Sequence, residues 1–412
     1  MRVAIETLGS RGDVQPYVAL ALALLARGHE VQVAAPAQFQ GLVERHNIPY
    51  VALPGEFLTL LDTPEGKAAI AGGQGFSGGL KLLKHIRPLM MELFGREWQA
   101  VQSFAPDMIV YHPKSLVSPY MAAALGIPHV LASPVPGLTP TTAFPSPLLP
   151  FSSLGSFNRL SHIFALKAVD LLFGRDLKAW RERVFGTSAD RPAPRAGTIY
   201  AYSPAILPKP DDWGLDTLVS GYWFLDDPDW TPDPALARFL DEGPPPVYFG
   251  FGSMPGLNPE AVTEMIVQAL AMTGNRGVLA RGGGAIGTDL AGGSVFFLDS
   301  APHDRLLPQM SAIVHHGGAG TTAAGLRAGL PTQIIPFFGD QPFWGRRVAE
   351  LGAGPPPLER RKISAETLAM ALAALGAPGM RKRAQSLSTA INSDPGIAAA
   401  VDFLERRVTS TR

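Results

Sequence analysis

The feature that most constrains this chain is a unit in which a short apolar strand ends in a glycine turn and leads directly into an apolar helix. Residues 2–8 form the first such strand, Gly9 and Gly12 the turn, residues 14–26 the helix, and residues 29–35 the next strand. The succession of strand, helix and strand returns at residues 107–111, 117–125 and 128–131. Because parallel strands need crossover helices, this alternation predicts a parallel sheet with helices on both faces.

The same alternation starts again after a stretch rich in Pro and Asp at residues 204–246. Strands are predicted at residues 247–251, 277–280, 295–298, 312–315 and 333–336, and helices from Pro259, Gly320, Gln341 and Ala365 onward. The 412 residues therefore predict two α/β domains, each a doubly wound parallel sheet. We place them at residues 1–210 and 247–385, joined by a linker at 211–246, and expect a C-terminal helix within 386–412 to pack back on the first domain.

Composition excludes several classes of function. Lys and Arg number 35 and Asp and Glu number 35, so the net charge of zero provides no global attraction to nucleic acid. The absence of Cys excludes disulfides, thiolate catalysis and Cys-ligated metals. The amino terminus lacks a secretory pattern, and the apolar run at residues 18–26 is shorter than the ~20 residues of a spanning helix. We expect a cytoplasmic protein, with at most peripheral membrane contact through the amphipathic segment at 81–104.

The strongest motif is the turn at residues 315–322, which follows an apolar strand and opens a helix. Its three glycines allow an anion such as a diphosphate to approach the backbone amides at the helix start. The hydroxyls of Thr321 and Thr322 and an imidazole N–H add hydrogen-bond donors. The alternative is a tight turn with buried histidines. A weaker turn at 249–254, which includes Ser253, ends another strand and would face the same crevice.

Two carboxylates also follow strands. Asp340 stands beside Gln341, and this pairing of a carboxylate with an amide suits vicinal sugar hydroxyls. Asp340 before Gln-Pro-Phe-Trp also suits a helix N-cap, and the two interpretations are compatible. Asp13 would face the crevice between the domains and could accept a proton from an alcohol. Because the ordinary pKa of Asp is ~3.9, that role requires desolvation or a positive charge nearby. The alternative for Asp13 is the N-cap of the helix beginning at Val14.

Two other patterns carry less weight. Residues 282–287 satisfy G-x-G-x-x-G. The segment that follows them is too short and too rich in glycine to form the helix that a dinucleotide site needs. Asp227 and Asp229 form a D-x-D without a His or acidic partner at ligand spacing, so we interpret them as solvated linker charge.

Four segments together resemble a known family. They are SRGDVQPYVALALAL near the start, APHDRLLPQ at 301–309, HHGGAGTTAAGLRAGLP at 315–331 and PFFGDQPFWGRRVAELGAG at 336–354. In this order they resemble the two-domain GT-B glycosyltransferases of family 1, in particular the sterol glucosyltransferases and the bacterial macrolide and glycopeptide tailoring enzymes. The resemblance implies two Rossmann-like domains facing across a cleft.

The resemblance also implies roles for residues. Those implied to hold the donor diphosphate are Ser253, His316, Gly318, Gly320 and Thr321. Those implied to bind the donor sugar are Asp340 and Gln341, and those implied to meet the nucleobase are Ala301, Pro302 and His303. Asp13 would be the general base. The plant branch instead has a His base after the first strand, and its ribose-binding Glu aligns with Ala324 here, so the ribose contact stays unassigned.

The implied activity is an inverting, metal-independent transfer of a hexose, glucose from UDP-glucose in the first instance, to a hydroxyl of a bulky apolar acceptor. The nucleotide sugar is a co-substrate, and no separate cofactor or metal is implied. The segment at 137–157, rich in Phe, Leu and Pro, is predicted to form an apolar acceptor wall. The alternatives are a nucleotide-sugar epimerase of the same architecture and a catalytically silent protein that binds nucleotide sugar or lipid. An NAD oxidoreductase using the glycine run is a further alternative.

Overall fold

The computed structural model describes residues 1–55, 75–186, 191–252, 258–282, 284–287 and 293–409. The first half contains a seven-stranded sheet in which every pairing is parallel. Its strands are β1 (Arg2–Glu6), β2 (Glu30–Pro36), β3 (Tyr50–Leu53), β4 (Met108–Tyr111), β5 (His129–Ser133), β6 (Gly197–Tyr200) and β7 (Thr217–Val219). Their spatial order is β3-β2-β1-β4-β5-β6-β7.

Helices cover both faces of this sheet, as buried apolar strands require. They are α1 (Arg11–Ala26), α2 (Gln40–Glu44), α3 (Gly75–Phe104), α4 (Ser118–Leu125) and α5 (Asn158–Phe185). One core lies between the sheet and α1, with Val3, Ile5 and Val18 fully buried. A second core lies on the opposite face, where Phe94 of α3 packs against Trp180 of α5.

The second half contains a five-stranded parallel sheet. Its strands are β8 (Val247–Gly250), β9 (Gly277–Ala280), β10 (Val295–Leu298), β11 (Ala312–His315) and β12 (Thr332–Ile334), in the order β10-β9-β8-β11-β12. The remaining helices are α6 (Pro234–Asp241), α7 (Pro259–Thr273), α8 (His303–Leu306), α9 (Ala319–Arg327), α10 (Gln341–Glu350), α11 (Ala365–Leu375), α12 (Pro378–Ser393) and α13 (Gly396–Thr409). The predicted fold class, two doubly wound parallel-sheet domains, is confirmed.

Each sheet has a topological switch point, where successive strands continue in opposite directions from the centre. In the first sheet it lies between the neighbours β1 and β4, and in the second between β8 and β11. In open α/β sheets, ligands bind outside the carboxyl ends of the strands at such points. The fold therefore directs attention to the turns that follow these four strands.

Some boundaries differ from the sequence-based expectation. The first helix begins at Arg11 rather than Val14, because Ser10 is its N-cap residue. The stretch expected to be a linker contains α6 and also β7, which pairs with β6 and extends the first sheet.

The two halves are joined by packing as well as by the chain. An apolar cluster combines Tyr202 and Trp213 from the first half with Phe343 and Trp344 from the second. The last helix, α13, returns to the first half, where its apolar side chains join the core beside α1. Two ion pairs from Arg27 Nη2 strengthen that contact, at 3.1 Å to Asp402 and 2.6 Å to Glu405.

Candidate active site

Asp13 is the third residue of α1, at the switch point of the first sheet. Its Oδ2 accepts hydrogen bonds from the backbone N–H of Ser10 at 2.7 Å and from the Ser10 hydroxyl at 3.0 Å. Asp13 is therefore not the N-cap of this helix, but its carboxylate does satisfy an amide at the helix start, as in a capping box. The side chain is 20% exposed, so a ligand can reach it.

Two further side chains approach Asp13 from the turn after β4. His112 Nε2 lies 3.2 Å from Asp13 Oδ1, and Lys114 Nζ lies 2.9 Å from Asp13 Oδ2. The sequence analysis did not identify either residue. The available signal was their position directly after an apolar strand, since Asp13 also lies in the segment that follows a strand, β1.

These partners fix the ionisation of Asp13. Burial opposes the charged form, but the charge of Lys114 and the hydrogen bond from His112 outweigh it, and the pKa of Asp13 lies well below its ordinary value. Burial lowers the pKa of His112, so the imidazole is neutral at physiological pH. The positive charge that sequence reasoning required beside Asp13 is therefore present and is supplied by Lys114.

Gly9 leaves room for this cluster. Its φ of +132° is a backbone conformation that favours glycine. A Cβ added there would overlap Asp13 Oδ2 and lie 2.5 Å from Lys114 Nζ. Glycine at position 9 is therefore required by both the backbone and the ion pair.

The turn after β11 separates its two histidines. His315 is fully buried, and its Nδ1 accepts a hydrogen bond from the N–H of Gly317 at 3.0 Å, so it belongs to the core of the turn. His316 is partly exposed, with its Nε2 so close to Gly318 that a Cβ there would be 2.5 Å away. Burial lowers the pKa of His316 to about 4, against a hydrogen bond with Gly250. The buried-histidine alternative thus describes His315 only.

The start of α9 presents backbone amides and no acidic side chain. Gly318 is its N-cap and has no side chain to bond these amides, so the N–H groups of the first turn have no partner within the helix. Thr321 is partly exposed in this turn. Thr322 is buried, and its hydroxyl donates to the carbonyl of Gly318 at 2.9 Å, which corrects the expectation that it faces a ligand.

The starts of α1 and α9 approach each other across the cleft. A Cβ added to Gly320 would lie 3.9 Å from the Cα of Gly12. The carboxylate turn of the first sheet and the amide turn of the second are thereby brought to one place.

Asp340 occupies the position before α10 but does not cap the helix with its side chain. Instead, its Oδ2 accepts a hydrogen bond from Trp344 Nε1 at 2.8 Å. Burial raises the pKa of Asp340 to about 6, although the hydrogen bond from Trp344 lowers it. The charge of Asp13 adds to the rise, and the charge of Lys114 opposes it. The two carboxylates therefore interact across the cleft. Asp340 is the N-cap residue of α10 by position, as the alternative expected, but its carboxylate contacts Trp344 rather than the amides of the helix.

Gln341 is placed differently from Asp340. It is only 4% exposed, and its Oε1 accepts hydrogen bonds from the backbone N–H groups of Phe337 at 2.7 Å and Phe338 at 3.2 Å. Its carbonyl oxygen thus holds the turn, and the predicted contact with a sugar stays a prediction.

The predicted nucleobase turn lies on the same side as His316. His303 begins α8, with its Nε2 3.3 Å from the Tyr248 hydroxyl, and Pro302 is the residue before it. Burial lowers the pKa of His303 to about 4, with smaller effects of Arg11 and His316 in the same direction. Ala301 packs partly buried against the neighbouring core, and the contact of this turn with a nucleobase stays a prediction.

Ser253 and part of the glycine run at 282–287 fall outside the described residues. Within that run, Ala285 and Ile286 are buried in the core. Within the described ranges, no group of three or more His, Asp or Glu is arranged to hold a metal ion, and no helix is long and apolar enough to span a bilayer. The predicted metal independence stays a prediction.

The predicted acceptor wall divides into two parts. Phe144 packs against Phe343 of the second half and against Trp213. Phe151 and Phe157 are 45% and 63% exposed, so this end of the segment presents apolar surface.

Comparison with family models matches both halves of the chain. Residues 3–137 match the glycosyltransferase family 28 N-terminal domain. Residues 288–406 match the erythromycin biosynthesis protein CIII-like C-terminal domain.

Curated relatives align along nearly the whole chain. The sterol 3-beta-glucosyltransferase UGT80B1 of Arabidopsis thaliana is 34% identical over 432 residues, covering 99% of this chain and 68% of that protein. UGT80A2 of the same plant is 34% identical and covered over 66% of its length. A sterol 3-beta-glucosyltransferase of Emericella nidulans is 33% identical, but the chain spans only 30% of its length.

Solved structures share the fold. A glycosyltransferase of kitacinnamycin aligns with a TM-score of 0.72 at 19% identity, over 98% of both chains. The spinosyn rhamnosyltransferase SpnG, solved with thymidine diphosphate, aligns with a TM-score of 0.67 at 19% identity, over 98% of this chain and all of that one. From the identity to the plant proteins and the match of both halves, the chain belongs to the GT-B glycosyltransferases of the family 28 and erythromycin-CIII-like type, the group that includes the sterol 3-beta-glucosyltransferases.

Proposed function

We propose that this glycosyltransferase moves glucose from UDP-glucose to a hydroxyl of a bulky apolar acceptor, such as a sterol or polyketide, with inversion at the anomeric carbon. The observation that carries the proposal is the convergence of two turns at one cleft, one with an ionised carboxylate and the other with exposed helix amides. The sterol activity of the plant relatives supports the acceptor class, as does the apolar surface of the 137–157 segment.

In the proposed reaction, Asp13 is the base. The acceptor oxygen attacks the anomeric carbon while its proton passes to the Asp13 carboxylate. The bond between that carbon and the phosphate oxygen breaks, and its electron pair leaves with UDP. An acid with a low pKa is a weak base toward a free alcohol, so proton transfer completes late, as the new oxygen–carbon bond gives the alcohol oxygen positive charge.

The leaving group is held by the second turn. The amides at the start of α9 and the Thr321 hydroxyl donate to the diphosphate, and Gly318 and Gly320 let it approach the backbone. His316 adds an imidazole N–H on the same side. Asp340, which is ionised above about pH 6, accepts hydrogen bonds from hydroxyls of the donor sugar, with Gln341 supporting its turn. The main chain at Ala301, Pro302 and His303 meets the uracil.

The proposal is tested by incubating the purified chain with UDP-glucose and a panel of sterols, polyketides and flavonoids. We expect a product heavier by one hexosyl residue in mass spectrometry, with a β-anomeric signal in NMR because the donor is an α-glycoside. TDP-glucose run in parallel tests the nucleotide preference, since some structural relatives were solved with thymidine diphosphate.

Three results would contradict the proposal. An α-linked product would exclude a single displacement. An epimerised donor formed without acceptor would indicate an epimerase. Thermal stabilisation by UDP with no UDP release under any acceptor would indicate a binding protein.

A further inference from the structure

The turn after β4 contains the residues His112, Pro113 and Lys114, and both of its polar side chains point to Asp13. This convergence follows from strand order, because β1 and β4 are adjacent and parallel, and their carboxyl ends meet at one edge. The backbone N–H of Lys114 donates to His112 Nδ1 at 3.2 Å. Since Nδ1 accepts that bond, the proton of the neutral ring is on Nε2, which donates to Asp13 Oδ1 at 3.2 Å.

Both oxygens of Asp13 are therefore engaged, in different ways. Oδ1 faces His112, whose ring is held edge-on by Tyr17 at 5.8 Å between centroids. Oδ2 receives two bonds from Ser10 and the ion pair from Lys114. Of these partners, Lys114 alone carries a full charge at neutral pH, because burial keeps His112 neutral.

The other charged and titratable groups around Asp13 do not replace Lys114. Asp340, across the cleft, repels its charge. Tyr17, one turn along α1, is buried, and burial raises its pKa so that it stays neutral. Arg11 on the same helix directs its Nε to Gln15 at 3.2 Å. A carboxylate in this setting, partly buried and opposite a second carboxylate, would otherwise be protonated more readily than a free Asp.

We propose that Lys114 is a positioning residue for the acceptor step, the counter-ion that keeps the Asp13 carboxylate charged and directed into the cleft. This inference rests on the proposed function, in which Asp13 receives the acceptor proton. The Lys114 side chain is 48% exposed, so its ammonium can withdraw toward solvent when an acceptor hydroxyl takes its place at Oδ2. Until the hydroxyl binds, the charge of Lys114 keeps the carboxylate ionised, and the exposed side chain leaves room for the hydroxyl.

The first test needs no substrate. In protein labelled with ¹³C at Asp carboxyls, the Asp13 signal is assigned by its loss in Asp13→Asn and followed from neutral pH downward. We expect no titration above about pH 4 in the wild type and in Lys114→Arg, which keeps the charge. In Lys114→Met the midpoint is expected to rise by about one to three pH units, the range of a lost neighbouring charge. Lys114→Gln, which keeps a hydrogen-bond donor without charge, should match Lys114→Met.

The second test is kinetic. With the donor saturating, its sugar hydroxyls hold Asp340 in the ionised form, so the acid limb of kcat/KM for the acceptor reports Asp13. This limb should move upward in Lys114→Met and Lys114→Gln, and stay in place in Lys114→Arg and in Lys178→Met, a change on the exposed face of α5. Thermal unfolding confirms that each variant is folded. An Asp13 signal that titrates alike in all variants overturns the counter-ion role, as does Lys114→Gln behaving like wild type. A moved titration without a moved kinetic limb overturns Asp13 as the base and thereby the mechanism of the proposed function.

Discussion

The turn after β1 and the turn after β11 face each other across the cleft and solve opposite electrostatic problems. The first must keep a negative charge of its own, and it does so with Lys114 and His112 on the two oxygens of Asp13. The second is proposed to receive a negative charge from a ligand, and it offers helix amides with no acidic side chain in the first turn and a histidine that burial keeps neutral. A charge that belongs to the protein therefore has a fixed partner, whereas the amides proposed to bind an anion have no partner within their helix.

Removing the carboxylate of Asp13 tests the role of the first turn most directly. Asp13→Asn keeps the shape and loses the base, so we expect kcat to fall about 10²- to 10⁴-fold, the usual contribution of general base catalysis. The KM for the donor should hardly change, because the donor turn is untouched. Steady-state kinetics with each substrate varied separately check this, with Asp229→Asn, on the exposed D-x-D, as a control. Activity equal to the wild type would remove Asp13 from the chemistry.

His316→Ala removes the imidazole from the donor turn after β11. Removing one hydrogen-bond donor from a developing anion typically lowers kcat by about 10²- to 10³-fold. We also expect weaker UDP binding in calorimetry, whereas Asp13→Asn should bind UDP like the wild type. A His316→Ala variant with full activity would mean that the amides of α9 suffice.

The two carboxylates should also differ in how they affect stability with pH. The pKa of Asp340 is raised from 3.8 to about 6 in the folded protein, so well below pH 3.8 it is protonated in both folded and unfolded states, and well above pH 6 it is ionised in both. The free energy of unfolding therefore falls as the pH rises from about 3.8 to about 6, by at most about 3 kcal/mol in all, and this loss persists at higher pH. Asp340→Asn should stabilise the protein at pH 8 and have only a small effect at pH 4.

Asp13 should show the opposite sign. Its pKa is lowered in the folded protein, so its ionisation adds stability above its unfolded pKa, and that stability is lost as the pH falls through the folded pKa. Asp13→Asn should therefore destabilise the protein at pH 8. Denaturant unfolding at pH 4 and pH 8 measures the change in the free energy of unfolding for both variants. A change of the same sign in both variants at pH 8 would contradict the electrostatic contrast between the turns.

Much of this contrast could be read from the sequence, and one part could not. Apolar strands followed by glycine turns predicted the two sheets and located Asp13, His316 and Asp340 at strand ends, because that pattern is local. The motif Ser10-x-x-Asp13 could also have shown that the helix begins at Arg11, since a capping box is a local signal. The contribution of His112 and Lys114 depends on β4 lying next to β1. The pattern of apolar residues predicts the strands but not their order in the sheet.

For Asp340, in the donor turn, the sequence likewise predicted the local contact but not the effect of the other half. Its partner Trp344 lies four residues along a helix, a spacing at which side chains meet, so the bond between them was predictable. Its elevated pKa was not, because it depends on burial between the two halves and on the charge of Asp13 across the cleft. Local chemistry was therefore predictable at both turns, and the coupling between the turns was not.

The smallest effect is expected from a single methyl group at the acceptor turn. Gly9→Ala places a Cβ against Asp13 Oδ2 and Lys114 Nζ and strains a backbone with a φ of +132°, so we expect kcat to fall about tenfold as the ion pair shifts. The control is Gly41→Ala in α2, where a Cβ meets nothing within 4 Å and should leave kcat within about twofold. In the Lys114→Met background the loss from Gly9→Ala should shrink, because one of the two displaced groups is already gone. A loss of the same size in both backgrounds would locate the effect of Gly9 in the backbone alone and would separate the glycine from the charged cluster beside it.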